Sequence, residues 1–219
     1  MMRRIAGGLA ALLSLGIAHA AEIPLYPTGP SEDAAFLRFF NVGSGQLHLS
    51  AANGAGLDLA PGAASNFLTV PAGKPIKGTL ALAGQQQALD VSVQPGEFTT
   101  VVGVPDGNAL RLVTVREQPD DFNALKASLA FYSLDANCTQ PSLRSAAGNV
   151  AIFKDVADGT AQRRSINPLK LAVQLTCGGA PRGDALDLGQ LAAGQRYTVL
   201  LAPGAQGPRL YQAQDTLAN

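Results

Sequence analysis

Acyl transfer and ester hydrolysis need a nucleophile beside a base that can accept its proton, and imidazole is the usual base. The chain has two histidines, His19 and His48. His19 falls in a leader segment described below, so any Ser-His-Asp arrangement has to use His48. It stands between Leu47 and Leu49, an alternation that puts it on the wet face of a strand. That is the setting of a surface histidine. No Gly-x-Ser-x-Gly turn is present, nor a Gly-Asp-Ser nucleophile motif. Val42-Gly43-Ser44-Gly45 reads as a hairpin turn. The carboxylate pairs Glu32-Asp33 and Asp120-Asp121 are neighbours in loops, with no second pair placed across a cleft for glycoside hydrolysis. No glycine loop follows a strand and opens a helix to cradle phosphate, so no cofactor is expected. No metal-ligand cluster is visible either. Catalytic residues and metal ligands are therefore both expected to be absent.

Three other constellations carry chemistry. Cys138 and Cys177 are the only cysteines and lie 39 positions apart. In an oxidising compartment they are expected to form one disulfide, worth roughly 4 kcal/mol by loop entropy. Arg163-Arg164 precede Ser165-Ile166-Asn167-Pro168. Guanidinium groups bind carboxylates in bidentate fashion. With Arg144 and Lys170 they make a candidate binding patch for a carboxylate polymer. The same two arginines would equally suit a strand edge guarded against aggregation. Ile23-Pro24-Leu25-Tyr26-Pro27-Thr28-Gly29-Pro30 is a stiff extended stretch with one amphipathic ring. Tyr26, Pro27 and Pro30 are candidate docking residues for a partner, although a leader packed on the first domain fits the same pattern.

The elements that must position these residues are strands. Glycine and proline number 24 and 14, too many for a mostly helical chain, and 47% hydrophobic residues are too many for a disordered one. A formal net charge of zero argues against a nucleic-acid partner. Met1-Met2-Arg3-Arg4, the uncharged run Ile5 to Ala18 and Ala18-His19-Ala20 read as a secretory signal over residues 1–20, cleaved after Ala20. Its apolar run is shorter than the roughly 20 residues that span a bilayer. No later run is long enough, so no membrane span is expected after cleavage.

The rest of the chain reads as two copies of one unit. Leu37-Arg38-Phe39-Phe40 matches Leu129-Ala130-Phe131-Tyr132 at an offset of 92. Pro75-Ile76-Lys77 matches Pro168-Leu169-Lys170, and Ala88-Leu89-Asp90-Val91 matches Ala185-Leu186-Asp187-Leu188. From Gly96 and Gly194 the offset is 98, pairing Thr100-Val101 with Thr198-Val199 and Arg111-Leu112 with Arg209-Leu210. Within each copy, alternating segments such as Leu89-Asp90-Val91-Ser92-Val93 are separated by turn signals. Phe98–Val104 and Tyr197–Ala202 are more continuously apolar, as central strands are. The expectation is an all-β protein of two tandem small antiparallel β-sandwich domains joined by a short linker. The domains cover 21–118 and 127–219, the second holding the disulfide, and the linker covers 119–126. Asp120 to Lys126 is the one segment that could turn as a helix. From Ala21 to Asp121 there are five bases and ten acids; from Phe122 onward, nine bases and six acids. The second domain is thus the better candidate for an acidic partner.

The proline-rich opening, Arg116-Glu117-Gln118-Pro119-Asp120-Asp121-Phe122-Asn123-Ala124-Leu125-Lys126, Arg163 to Pro168 and the ending Asp215-Thr216-Leu217-Ala218-Asn219 closely resemble the AlgF family of periplasmic alginate O-acetylation proteins. The resemblance spans essentially the whole mature chain. It implies a periplasmic location and a part in attaching acetyl groups to mannuronate residues of an exopolysaccharide. It implies as partners a membrane O-acyltransferase complex and the acetyltransferase-like proteins AlgJ and AlgX, with alginate or polymannuronate as a further ligand. The family supplies no catalytic residues to carry over. A non-catalytic adaptor that also binds carbohydrate is the leading expectation. The alternatives are an acetyl carrier or acetyltransferase in the same pathway, and an immunoglobulin-like chaperone module that pairs strands with a client.

Overall fold

A computed structural model describes residues 34–118 and 123–218. Sixteen strands and no helix lie within them. The first eight are β1 (Ala34–Asn41), β2 (Leu47–Ala51), β3 (Gly56–Leu59), β4 (Leu68–Pro71), β5 (Pro75–Leu82), β6 (Gln85–Ser92), β7 (Phe98–Asp106) and β8 (Ala109–Glu117). They form sheet I, in the order β3-β2-β5-β6, and sheet II, in the order β4-β1-β7-β8. The second eight are β9 (Ala127–Ser133), β10 (Ser142–Ser145), β11 (Ala151–Phe153), β12 (Thr160–Ile166), β13 (Leu169–Cys177), β14 (Ala180–Leu191), β15 (Arg196–Gly204) and β16 (Gly207–Gln214). They form sheet III, β12-β9-β15-β16, and sheet IV, β11-β10-β13-β14. Adding eight to each strand label of the first half reproduces the second, so the two halves share one topology. Pairing is antiparallel except for one parallel pair per half, β1 with β7 and β9 with β15.

Each half is a sandwich because its strands alternate. Leu37 and Phe39 of β1 and Val101 of β7 meet Leu47, Leu80 and Leu89 of sheet I in one core. Leu129 and Phe131 of β9 and Val199 of β15 meet Leu143, Val173 and Leu175 of sheet IV in another. The disulfide between Cys138 and Cys177 ties the loop after β9 to the end of β13, with Cα atoms 5.0 Å apart. Gly78 lets β5 close on β2, since a Cβ there would meet the Ser50 carbonyl oxygen at 2.5 Å. Gly107, at φ 58°, turns the tight β7–β8 hairpin.

The residues between the core positions do not face water. Phe40, Val42, Val102, Val104 and Val115 of sheet II pack on Ala130, Tyr132, Leu134, Leu200 and Ala202 of sheet III. The four sheets therefore stack in the order I, II, III, IV. This explains why β7 and β15 are more continuously apolar than the alternating strands, since both are buried on both faces. The packing is isologous in pattern. Phe40 and Tyr132, Val42 and Leu134, Val102 and Leu200, and Val104 and Ala202 are copy-related positions at the two offsets found in the sequence. The chain end adds a strap. The Phe67 amide donates to the Thr216 carbonyl and the Ala218 amide to the Phe67 carbonyl, each at 2.8 Å.

Pro119 to Phe122 lie outside the described residues, as does the start of the segment expected to turn as a helix. Its remainder, Asn123 to Lys126, is a turn closed by the Lys126 amide on the Asn123 carbonyl. The proline-rich arm with Tyr26, Pro27 and Pro30, and the leader over 1–20, also lie outside them.

Candidate functional site

The strongest concentration of buried charge sits in the seam between sheets II and III. Arg38 points from β1 into that seam because its neighbours Leu37 and Phe39 face the first core. Its side chain is fully buried. Its Nη1 donates to Asp215 Oδ1 at 2.7 Å, its Nε to Thr100 Oγ1 and its Nη2 to Thr198 Oγ1, both at 2.8 Å. The guanidinium lies 4.4 Å from the centre of the Phe67 ring. Arg163, from β12, donates through Nε and Nη2 to the two oxygens of Glu117 at 2.8 and 3.0 Å. Its Nη2 also reaches Asp215 Oδ2 at 2.7 Å. Tyr132 donates its hydroxyl to Glu117. The result is an alternating ladder, Arg38, Asp215, Arg163, Glu117, whose side chains are all 7% exposed or less.

Electrostatics lock these groups in place. Burial works against charge on Asp215, yet Arg38 and Arg163 hold its carboxyl below the usual carboxylate range. Burial likewise opposes the two guanidinium charges, and Asp215 and Glu117 hold both above the ordinary arginine value. Burial pushes the Tyr132 hydroxyl up to about 12. Two cations and two carboxylates balance within the seam, and Asp215 stays charged near neutral pH.

The four basic residues expected to form one polymer patch are not brought together. The physical reason for the first pair is strand alternation. Arg163 and Arg164 lie inside β12 rather than ahead of a strand, so they point to opposite faces. Arg163 enters the seam and leaves the surface. Arg164 donates from Nη1 to the Ile152 carbonyl at 2.6 Å, joining the edges of sheets III and IV. Arg144 and Lys170 alternate with Leu143 and Leu171, which are core residues, so both stand on the outer face of sheet IV. Arg144 donates from Nε to Asn149 Oδ1 at 2.6 Å. His48 is exposed on β2 and pairs with Asp58 Oδ1 at 2.6 Å. Among the described residues no group of three or more His, Cys, Asp or Glu could hold a metal ion. No helix among them is long and apolar enough to cross a membrane.

Sequence reasoning missed Arg38, Tyr132, Glu117 and Asp215. The signal was present in the copy alignment. Arg38 interrupts an otherwise apolar strand where the second copy has Ala130, and Glu117 and Asp215 stand 98 residues apart, at the same offset as Thr100 and Thr198.

A second feature is concave and open. Three depressions run together around one end of the second half. The first, about 630 Å³, is lined by Ser142, Arg144, Lys154, Asp155, Thr176 and Pro181 among others. The next, about 520 Å³, shares Pro181 and adds Arg182, Gly183 and Pro208. The third, about 710 Å³, shares Gly183 and Pro208 and continues past Arg209 and Tyr211 to Val42 and Pro105 of the first half. Tyr211 donates its hydroxyl to the Val42 carbonyl at 2.8 Å on the floor of that groove.

The profile of a family described as alginate O-acetyl transferase AlgF matches residues 9–198. The chain is 32% identical over 171 residues to the alginate biosynthesis protein AlgF of Pseudomonas aeruginosa, covering 76% of this chain and 74% of that one. Among solved structures, the C-terminal domain of AlgF from P. aeruginosa aligns with a TM-score of 0.35 and 23% identity, over 41% of this chain and 98% of that one. The TIE protein of Bacillus anthracis aligns with a TM-score of 0.27 and 9% identity, over 77% of this chain and 34% of that one. The chain belongs to the AlgF family of alginate O-acetylation proteins.

Proposed function

We propose that the protein is a non-catalytic accessory component of alginate O-acetylation in the periplasm, an adaptor that holds acetyltransferase partners in place. The observation that supports this is the seam. The buried titratable groups Arg38, Arg163, Glu117 and Asp215 neutralise one another and fix two sandwiches together, which is the work of a scaffold. His48, the base an acyl-transfer mechanism would use, sits on an exposed strand and pairs with an exposed acid. The partners in this reading are the membrane O-acyltransferase complex, AlgJ and AlgX. Lys170, on the outer face of sheet IV, is the member of the basic set left for alginate or polymannuronate in this reading. The arm bearing Tyr26, Pro27 and Pro30 is a second docking element.

Pull-down of the purified mature chain with each partner, beside titration with polymannuronate, tests the reading. Capture of AlgJ or AlgX by a folded chain is the expected result. Failure to capture either one defeats the adaptor role.

The family description names an acetyl transferase, which favours one other reading, a chain that carries acetyl groups itself. Incubation with an acetyl donor separates the two. A covalent acetyl gain that turns over to polymer supports the carrier, and an unchanged mass supports the adaptor.

A further inference from the structure

The groove at the end of the second half has a charge pattern that the scaffold does not need. Its three depressions are linked by shared walls, Pro181 between the first two and Gly183 and Pro208 between the last two. Four bases line these three, Arg144, Lys154, Arg182 and Arg209, against one acid, Asp155; an adjoining cleft that shares Pro105, Pro203 and Asn137 with them adds Arg111 and two acids, Asp106 and Asp135. Between Arg182 and Arg209 the walls are uncharged and rich in proline and glycine.

A copy-related position sharpens the point. Arg209 corresponds to Arg111 at the offset of 98. Arg111 lines a cleft of about 270 Å³ that also contains Asp106 and Asp135, with Asp106 4.0 Å from the Arg111 Nε. The Arg209 guanidinium instead lies 5.1 Å from the centre of the Tyr211 ring, in a groove lined by no carboxylate along that stretch. One copy carries its own counter-charge and the other faces its groove with a guanidinium on an aromatic floor.

We infer that this groove receives an extended acidic segment of a protein partner. The inference rests on the adaptor reading and names the surface through which it acts. The spacing of charge favours a polypeptide over a uronate polymer. A polymer with one carboxylate per sugar would carry charge past the neutral walls, past Asp155, and beside Asp135 at the adjoining cleft. A polypeptide can set its acids opposite the four bases and uncharged residues against the proline and glycine walls. The groove also crosses from Arg209 to Val42 and Pro105 of the first half, so its full length exists only when the two halves are locked together.

The test uses the full mature chain and its charge-reversed variant Arg182→Glu/Arg209→Glu, with Arg111→Gln as the control. Binding of purified AlgJ and AlgX is measured at low and high salt, with oligomannuronate as a second probe. The double reversal is expected to weaken capture by at least about tenfold, mostly through slower association, and to flatten the salt dependence. Arg111→Gln is expected to bind as wild type. Thermal unfolding of all three should coincide, because Arg182 and Arg209 are exposed. If the wild type captures neither protein, the adaptor reading fails and the groove inference falls with it. If the wild type binds and the double reversal binds equally well, the groove inference alone is wrong. If the double reversal loses oligomannuronate but keeps both proteins, the groove serves a polymer and the assignment to a polypeptide is overturned.

Discussion

The two halves have the same strand order and meet through copy-related faces, yet their buried arginines sit on different strands. In the first half the arginine is Arg38 on β1, with Phe67 beside it at the start of the β4 edge. In the second the β9 position is Ala130, and its β12 neighbour in register is Arg163. The acids stayed put, Glu117 in one copy and Asp215 in the other. A perfectly repeated arrangement would place two identical ion pairs across the seam. The displaced arginine instead builds one continuous ladder, so each carboxylate meets Arg163 and Asp215 meets both cations. The apolar pairs therefore supply adhesion, while the ionic ladder sets which face meets which. Buried ion pairs contribute little net stability but are costly to break on one side.

The largest expected effect comes from breaking the ladder at its shielded end. Arg38→Ala leaves Asp215 buried with half its cationic support, and the destabilisation is expected to be about 3–5 kcal/mol in urea unfolding. The pair Arg38→Met/Asp215→Leu should be less damaging than Arg38→Ala, because no charge is stranded. A strictly additive outcome would show that the two side chains are not coupled. Next comes the disulfide, which only the second half possesses. Cys138→Ser/Cys177→Ser is expected to cost about 4 kcal/mol, read by the same unfolding curves.

The pH dependence tests the seam without mutation. Asp215 titrates below its ordinary value of 3.8 in the folded chain. Its contribution is therefore present above that ordinary value and is lost as pH falls through the lower folded one. Tyr132 has its folded value raised from 10.0 to about 12. Its contribution is full below the ordinary value and is lost as pH rises toward the folded one. Urea midpoints across acid and alkaline series should fall at both ends, and Tyr132→Phe should blunt the alkaline fall. The smallest effect belongs to the outer face of the first half. His48→Gln is expected to change stability by no more than about 0.5 kcal/mol and to leave partner capture intact, since both members of its pair are more than half exposed.

Much of the fold was readable because it is carried by local patterns. Alternation in Leu89 to Val93 and turn signals at Asp106-Gly107 mark strands and hairpins whatever the tertiary contacts. The repeat of Leu37 to Phe40 at Leu129 to Tyr132 marks the duplication. The parallel pairing of β1 with β7 was not readable, since no local signal reports which distant strand lies alongside. The site was less legible. Arg163 and Arg164 are adjacent in sequence, and only the extent of β12 reveals that alternation sends them to opposite faces. The more continuously apolar runs of β7 and β15 pointed to central strands. They do not say that the second buried face meets the other half, because sequence periodicity reports burial and not the identity of the cover.

An adaptor of the kind proposed joins other molecules and makes no bond itself. The most direct measurement is intact mass of the chain after incubation with an acetyl donor, AlgJ, AlgX and polymannuronate, with the captured complexes weighed beside it. An adaptor gives complexes containing AlgJ or AlgX and a chain of unchanged mass. An acetyl-sized gain that then passes to the polymer would contradict it.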